Sequence, residues 1–331
     1  MRIASYERFL RAYGVELMYR PMLTEREYAT LSSDTSAPRK AMMLAASTLR
    51  AAGRRPRHDL LLVHRLRLLN PAPRLDPPRR LDAYDIDDAL FLGSPAAVNR
   101  RFQWAKQEAR RSIECMQRAR LVIAGNSFLA DRAREFAHRV EVVPTCVDPT
   151  RQPTHVHEPQ DVVTVGWIGS HTTSSYLEPV LRVLTQLNDG ALRARLVLVG
   201  ADPRLRADWI EQHPWSPHTE TGELASFDIG IMPLPDTDWA RGKCGYKLLQ
   251  YFSAGVPAVA SPVGVNVPLV GNERGILASS PTEWESALKQ LLADPDRRRE
   301  SGAAARRFVE REYSYQRWAP ELASMLRSLK R

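Results

Sequence analysis

Residues 242–266, GKCGYKLLQYFSAGVPAVASPVGVN, combine a basic loop, a short helix and a buried strand. Lys243 and Lys247 flank Gly245 at the start of the helix predicted over residues 246–254. A helix N-terminus attracts anions, and two ammonium groups strengthen that attraction. Only six of the 47 basic residues are lysines, and two of the six lie here. The segment predicts an anion-binding turn; the alternative is a solvated helix start with two ordinary surface lysines.

The second half of the chain alternates strands and helices in the manner of a doubly wound parallel sheet. Strands are predicted over residues 162–168, 195–199, 228–232 and 256–260, each followed by a glycine, proline or serine turn signal. Helices are predicted over residues 176–187, 281–292 and 295–312. Ligands of such sheets bind beyond the carboxyl ends of the strands. The glycines do not follow GxGxxG, so a nicotinamide dinucleotide is not specifically predicted.

Length and cysteine content narrow the class of protein. A chain of 331 residues fits two domains. Cys115, Cys146 and Cys244 are odd in number, far apart and outside any CxxC or histidine-rich spacing, so neither a disulfide framework nor a zinc site is indicated and a reducing cytosol is expected. No basic leader with an apolar core follows Met1, and no run approaches the length of a membrane span.

The positive charge of the chain lies in its first half. The net charge is +9, with 26 Lys+Arg against 17 Asp+Glu in residues 1–150 and 21 against 21 in residues 151–331. The basic clusters are Arg54-Arg55-Pro56-Arg57, Arg79-Arg80, Arg100-Arg101 and Arg110-Arg111. They fit an anionic membrane or an acidic substrate, although solvated helix faces are favoured slightly. No nucleic-acid-binding pattern accompanies them, so nucleic acid is not an expected partner.

Residues 227–266 carry the pattern FDIGIMPL, a variable loop and KxxxKLLQYxxAGVPxVxSPVG. This pattern resembles the donor-binding half of a family 4 glycosyltransferase of the GT-B type, in the bacterial branch with YDIDDALF and KxxxKLLQY motifs. Four more segments resemble that family in the same order along the chain. They are YDIDDALF at residues 84–91, AGNSFL at 124–129, VVPTCVD at 142–148 and GWIGS at 166–170.

The resemblance implies two doubly wound, Rossmann-like α/β domains facing across a cleft. The implied boundaries are 1–152 for the acceptor side, 153–312 for the donor side and 313–331 for a helix that crosses back, in which Trp318 is expected to pack. Residues 2–13 predict a helix ended by Gly14, where the family begins with a strand. The first strand is thus expected to be missing, either because translation starts upstream of Met1, which is favoured, or because the sheet has lost a strand.

The resemblance also implies a donor site that needs no metal and no cofactor. Its residues would be Gly169, Ser170, His171, Lys243, Gly245, Tyr246, Lys247, Leu248 and Gln250. Lys247 is the expected catalytic cation, because it would hold the charge of a departing diphosphate. Most of the family carries two glutamates, and here their positions are Gly242 and Gln250. Gln250, the loop backbone and Asp236 or Asp238 are expected to replace those contacts.

On the acceptor side, Asp87 stands where many family members have a histidine, and it is expected to be catalytic. His64, Arg65, Asp88 and Asn126 are expected to line the acceptor side of the cleft. Three alternatives remain. Asp85 and Asp87 form a DxD that binds a divalent ion in another transferase fold, although Asp85 is more simply an orienting residue. A structural role is favoured for His64, and a helix cap for Asn126.

The implied activity is transfer of a hexose from a nucleoside diphosphate sugar to a glycan, lipid-linked or small-molecule acceptor, with retention of anomeric configuration. The expected location is cytoplasmic, with peripheral association at the inner membrane face through the basic first domain. A non-catalytic nucleotide-sugar-binding or degenerate relative is the alternative, because the glutamate pair is absent. A sugar-nucleotide epimerase is less favoured, since the second domain lacks its expected carboxylate and histidine set.

Overall fold

A computed structural model describes residues 2–330 of the chain, apart from positions 22, 25, 28–29, 31–35, 53–56, 66–80, 94–107 and 190–192. Its contacts divide the chain into two compact units. Unit 1 holds Met1–Val143 and Ala319–Arg331, and unit 2 holds Pro144–Trp318. The basic residues at 54–55, 79–80 and 100–101 lie outside the described residues. The predicted domain boundaries stay predictions. Within the described parts, no helix is long and apolar enough to cross a membrane.

Unit 1 contains a parallel sheet, as the family resemblance implies. Its strands are β1 (Leu62–His64), β2 (Ala83–Ile86), β3 (Leu121–Ala124) and β4 (Val140–Val142), paired in the order β1-β2-β3-β4. Its helices are α1 (Glu7–Leu10), α2 (Ala37–Ala52), α3 (Glu108–Arg118) and α4 (Ser127–Ala133). The central strands β2 and β3 are fully buried; β3 is an unbroken apolar run, whereas β2 includes the charged residue Asp85.

The helix predicted at the start of the chain is confirmed. Turns of 3-10 helix at Ala4–Tyr6 and Arg11–Tyr13 flank α1, and Gly14 ends the helix with φ of 71°. Tyr6 and Leu10, four residues apart, are both fully buried, so one face of this helix packs in the core. None of the described residues before β1 forms a strand, in line with the missing first strand.

Unit 2 contains a larger sheet in which every pairing is parallel. Its strands are β5 (Val163–Ile168), β6 (Ala194–Val199), β7 (Ile210–His213), β8 (Ile229–Met232), β9 (Ala258–Ala260) and β10 (Gly275–Leu277). They pair in the order β10-β9-β8-β5-β6-β7. The four predicted strands are confirmed. The two outermost strands were not predicted, because β7 and β10 are short and only partly buried and so lack a clear apolar run.

Helices cover both faces of the unit 2 sheet. They are α5 (Glu178–Asn188), α6 (Glu220–Ala225), α7 (Asp238–Arg241), α8 (Tyr246–Ser253), α9 (Asn266–Val270), α10 (Pro281–Ala293), α11 (Pro295–Glu312) and α12 (Tyr315–Arg327), the last ending in unit 1. One apolar cluster packs α5 and α10 on one face, and a second packs α8 and α11 on the other. The helix predicted from residue 176 begins earlier, as a 3-10 helix at His171–Leu177.

The strand order reverses between β5 and β8, and two glycines make that junction possible. The paired residues there are Val165 with Ile229 and Gly166 with Gly230. A Cβ at Gly166 would lie 2.1 Å from the ring of Phe227, and one at Gly230 would lie 2.4 Å from the ring of Tyr251. The glycines therefore let two aromatic rings press against the sheet at its centre.

The hydroxyl of Tyr251 joins β5 and β8 beyond their last direct pair. It accepts a hydrogen bond from the N–H of Ile168 and donates to the carbonyl of Ile231, each at 3.2 Å. Tyr251 is fully buried, and burial raises the pKa of its phenol. Since Tyr251 lies on α8, this bond fixes α8 relative to the ends of both strands.

We expect Gly230→Ala to destabilise unit 2 by about 1–3 kcal/mol, because the new methyl group overlaps the buried ring of Tyr251. Gly222→Ala is the matched control. Gly222 lies in α6, and a Cβ added there would have no atom within 4 Å, so this substitution is expected to stabilise by about 0.5–1 kcal/mol through helix propensity. Urea denaturation of both variants tests this account, and equal stability of the two would contradict it.

Candidate functional site

The carboxyl ends of β5 and β8 form a shallow pocket in unit 2. It lies where the strand order reverses, which is the usual place for a ligand in an open α/β sheet. The pocket is lined by Trp167, Thr173, Tyr176, Met232, Pro233, Leu234, Lys243 and Lys247. The two lysines of the predicted anion-binding turn thus share one pocket with the ends of two strands.

Gly245 turns the chain into α8 and leaves the first turn of that helix without a side-chain cap. Its φ and ψ are 67° and 21°, a left-handed conformation that favours glycine. A Cβ at this position would also lie 2.4 Å from Cδ1 of Leu269. Because glycine has no side-chain oxygen, Gly245 gives no side-chain cap to the backbone N–H groups of the first turn, and such a helix start is a common place for an anion.

Aromatic rings hold both lysines at this helix start. The Nζ of Lys247 lies 5.1 Å from the ring centroid of Trp167, and the Nζ of Lys243 lies 5.9 Å from that of Trp239. Gly169 makes room for the first contact, since a Cβ there would lie 2.4 Å from the Trp167 ring and 2.9 Å from Cε of Lys247. Cation–π contacts orient an ammonium group without neutralising its charge. The two rings therefore help to fix the positions of the two ammonium groups.

The loop after β5 places hydroxyl and imidazole groups at the same edge of the sheet. Ser170 caps the 3-10 helix at His171–Leu177 through a capping box with Thr173. The Nε2 of His171 lies 3.3 Å from a carboxylate oxygen of Asp202, and the histidine side chain is 60% exposed. Hydrogen bonds from Arg204 hold the pKa of Asp202 well below its ordinary value. His171 is thus anchored at the surface beside a carboxylate that already has a cationic partner.

The remaining predicted donor-site residues on α8 differ in what they can offer. Tyr246 is exposed, whereas the side chain of Leu248 is fully buried in the apolar core, so only its backbone could contact a ligand. Gln250 is 5% exposed. Gly242, the other position of the absent glutamate pair, has no side chain. A donor contact from Gln250 would therefore be made by a largely buried amide.

Asp236 and Asp238, the other candidates for replacing the glutamates, both bind Arg241. Its Nε lies 2.8 Å from Asp236, and its Nη1 lies 3.4 Å from Asp238. The hydrogen bond from Arg241 lowers the pKa of Asp236. These carboxylates are directed at a neighbouring guanidinium, which weakens the expectation that they bind a donor sugar.

In unit 1, Asp85 is the buried centre of an ionic cluster at the end of β2. It is fully buried and lies 3.0 Å from Nε of Arg2 and 2.7 Å from Nδ1 of His64. Arg2 also donates to the carbonyl of Val143. A buried carboxylate held by an arginine and a histidine positions its neighbours, which agrees with the orienting role expected of Asp85.

Arg65 binds the two carboxylates that follow β2. Its guanidinium pairs with Asp87 and Asp88, and Nε2 of His64 lies 3.9 Å from Asp87. Burial opposes ionisation of Asp87, but the charges of Arg65 and His64 outweigh it, so the pKa of Asp87 lies below its ordinary value. Asp87 is therefore ionised at neutral pH and is a weak base.

This arrangement bears on the alternative in which Asp85 and Asp87 bind a divalent ion. Asp85 is directed at Arg2 and His64, and Asp87 at Arg65. The guanidinium groups of Arg2 and Arg65 therefore bind the carboxylate oxygens that a metal ion would need as ligands. The geometry therefore favours an ion-pair network over a metal chelate in unit 1.

Two other predicted residues have structural contacts. Asn126 accepts a hydrogen bond at 2.8 Å from the N–H of Leu129 and caps α4, as the capping interpretation predicts. The indole N–H of Trp318 donates to the carbonyl of Glu312 at 2.8 Å, in line with a packing role.

Sequence reasoning missed the aromatic part of the unit 2 pocket. Trp167 lies within the apolar run of β5, which is typical of a core residue, and it is 2% exposed. Its ring nevertheless lines the pocket and orients Lys247. The only signal in the sequence is its place two residues before Gly169, because a glycine at a strand end leaves space for a neighbouring side chain.

Comparisons with known proteins identify the fold. Residues 180–324 match the family model described as Glycosyl transferase-like, which covers less than half of the chain. No curated protein sequence matches. The structure of WaaG, a glycosyltransferase involved in lipopolysaccharide biosynthesis, aligns with a TM-score of 0.65 at 13% identity, covering 98% of this chain and 94% of that chain.

Anabaena Alr3699/HepE in complex with UDP and glucose aligns with a TM-score of 0.63 at 15% identity, covering 97% of this chain and 88% of that chain. A mutant of S. aureus TarM in complex with UDP and Fondaparinux aligns with a TM-score of 0.57 at 13% identity over 75% of this chain. This chain spans only half of the TarM chain. At these identities the likeness establishes the fold, two parallel-sheet α/β units as in GT-B glycosyltransferases.

Cys244 lies between the two lysines in the sequence, so the rate at which its thiol is labelled can be used to detect an anion bound to this loop. It is partly exposed, whereas Cys115 and Cys146 are buried. We expect a maleimide to label Cys244 first and inorganic pyrophosphate to slow that labelling, because an anion on the loop covers the thiol. Mass spectrometry of timed digests measures both rates. Labelling that is indifferent to pyrophosphate would argue against an anion site.

Proposed function

We propose that the chain is a glycosyltransferase that takes its sugar from a nucleoside diphosphate donor. The observation that carries this proposal is the convergence of Lys243, Lys247 and the uncapped start of α8 where β5 and β8 end. The family match over residues 180–324 and the fold shared with the UDP-bound HepE structure support it. The family 4 assignment and the YDIDDALF branch are part of the proposal.

The chemistry follows from the charge that develops in the reaction. As the bond between the anomeric carbon and the diphosphate oxygen breaks, its electron pair stays on the diphosphate, and cations and dipoles fixed in advance stabilise that charge. Lys247 and Lys243 supply the cations, and the first turn of α8 supplies N–H groups. In this proposal these groups serve in place of a metal ion at the donor site. The proposed sugar is a hexose, transferred with retention of its anomeric configuration.

Asp87 then has a role other than general base. Its carboxylate is held ionised by Arg65 and His64, which makes it a weak proton acceptor and a good hydrogen-bond acceptor. We assign it to orienting a sugar hydroxyl, with His64, Arg65 and Asp88 as the surrounding acceptor-side polar groups. The acceptor is a glycan, a lipid-linked precursor or a small molecule. The excess of basic residues in the first half of the chain supports a cytoplasmic enzyme acting on an acceptor at an anionic membrane.

A second candidate function is nucleotide-sugar binding without catalysis. It is favoured by the replacement of the glutamate pair with Gly242 and the largely buried Gln250. Both functions require the lysine loop, but only a transferase releases nucleoside diphosphate from the donor in the presence of an acceptor. Nucleotide binding without release over a panel of sugar donors and acceptors would favour the second function.

We expect Lys247→Ala to weaken nucleoside diphosphate binding by about 1.5–3 kcal/mol, the scale of a lost charged hydrogen bond. That corresponds to a rise in Kd of about 10–150-fold. Lys289→Ala is the matched control, because Lys289 lies on α10 and pairs with Glu285 away from the pocket. Isothermal titration with UDP and GDP gives the Kd, and thermal melting checks folding. An unchanged Kd in a folded Lys247→Ala variant would remove the loop from the donor site.

A further inference from the structure

Two histidines and an aspartate meet at the other edge of the unit 2 sheet. His155 and His157 lie on the segment that leads into β5, and Asp228 immediately precedes β8. One ligand atom from each residue lies within 4.8 Å of the other two. His157 and Asp228 are buried, and His155 is partly buried. All strands of this sheet are parallel, so the amino ends that carry this cluster are opposite the carboxyl ends that carry the lysine pocket.

Backbone carbonyls determine which ring nitrogens carry protons. Nδ1 of His155 lies 2.7 Å from the carbonyl oxygen of Ala225, and Nε2 of His157 lies 2.9 Å from that of Gly255. A carbonyl oxygen only accepts hydrogen bonds, so these two nitrogens are the donors. In the neutral rings, Nε2 of His155 and Nδ1 of His157 therefore carry lone pairs.

The two lone pairs meet the same carboxylate oxygen. Oδ1 of Asp228 lies 2.9 Å from Nε2 of His155 and 3.9 Å from Nδ1 of His157. The other oxygen, Oδ2, accepts hydrogen bonds from the N–H of Thr164 at 2.8 Å and the amide of Gln160 at 2.7 Å. With both rings neutral, three atoms that can only accept hydrogen bonds converge, while the other side of each group is held by a protein donor or acceptor.

A single proton can give a hydrogen-bond partner to only two of these three atoms. Protonation of Nε2 of His155 would give an ion pair with Asp228, but Nδ1 of His157 is buried and has no hydrogen-bond partner among the described residues. A single cation between the three atoms satisfies all of them. Histidines that bind metals commonly donate their second ring N–H to a carbonyl, as both do here.

The distances suit a small transition-metal ion. Zinc–ligand bonds of about 2.0–2.2 Å in a tetrahedral site separate the ligand atoms by about 3.3 Å. The observed separations of 2.9 and 3.9 Å lie on either side of that value. Two imidazoles and one carboxylate are ligands typical of zinc and its neighbours, and water completes such a site.

The positive charge of Arg298 opposes the binding of a cation at this cluster. Arg298 is buried, and its guanidinium donates to the carbonyls of Leu291 and Leu292 at 2.7 and 3.1 Å. Its positive charge acts on both His157 and Asp228. We therefore expect weaker binding than at a structural zinc site built from thiolates.

We propose that His155, His157 and Asp228 bind one transition-metal dication of the zinc class. The ion would tie the segment that enters unit 2 to the starts of β5 and β8. The site takes no part in donor chemistry, because it lies at the opposite edge of the sheet. Its ligands come from sequence positions 73 residues apart, which is why no zinc spacing is evident in the sequence.

Metal titration of the full chain tests this proposal. The purified chain is stripped with a chelator, dialysed and titrated with Co²⁺ and Zn²⁺. We expect one equivalent of Co²⁺ to give the visible absorption of a tetrahedral complex and Zn²⁺ to displace it. His157→Gln keeps an N–H donor for the Gly255 carbonyl but removes the Nδ1 lone pair, and we expect it to lower the affinity by more than about tenfold.

Two further variants complete the experiment. Asp228→Asn preserves the shape of the side chain and should lower the affinity in the same way, whereas His218→Ala, at an exposed histidine of unit 2, should leave it unchanged. Circular dichroism confirms that each variant is folded. The proposal is overturned if the wild-type chain shows no saturable binding, or if His157→Gln and Asp228→Asn, folded, bind the metal as tightly as the wild type.

Discussion

The hydroxyl of Tyr251 is the contact on which the unit 2 pocket depends. It bridges the N–H of Ile168 on β5 and the carbonyl of Ile231 on β8, where the two strands no longer pair directly. The ring of Tyr251 can lie there only because Gly230 has no side chain. Lys247 is one helical turn before Tyr251 on α8, so the same contact that joins the strands also sets the position of the lysine.

Charge is arranged differently in the two units. In unit 2 the lysines of the pocket lie against aromatic rings, which orient their ammonium groups. In unit 1, Asp85 near the end of β2 is bound by Arg2 and His64, and Asp87 after β2 is bound by Arg65. Unit 2 therefore gathers positive charge at its pocket, whereas the carboxylates of unit 1 are bound in ion pairs.

Sequence pattern predicted the local elements well and the long-range contacts poorly. The strand ends, Gly245 and the helix carrying Lys247 follow from apolar runs and glycine positions over short stretches. The edge strands β7 and β10 were missed because partial burial removes the apolar run. The pocket contact of Trp167 was not predicted, because a strand residue that lines a pocket looks the same in sequence as one that does not. The cluster of His155, His157 and Asp228 depends on register between distant strands, which local pattern does not contain.

The most direct test of the donor-site account is the melting temperature of the chain with UDP, GDP, ADP and dTDP, each in the presence of EDTA. The account predicts that at least one nucleoside diphosphate raises the melting temperature under these conditions, since lysines and backbone N–H groups bind the diphosphate without metal. A folded sample that none of the four nucleotides stabilises would contradict the assignment of the lysine pocket as a nucleotide-sugar site.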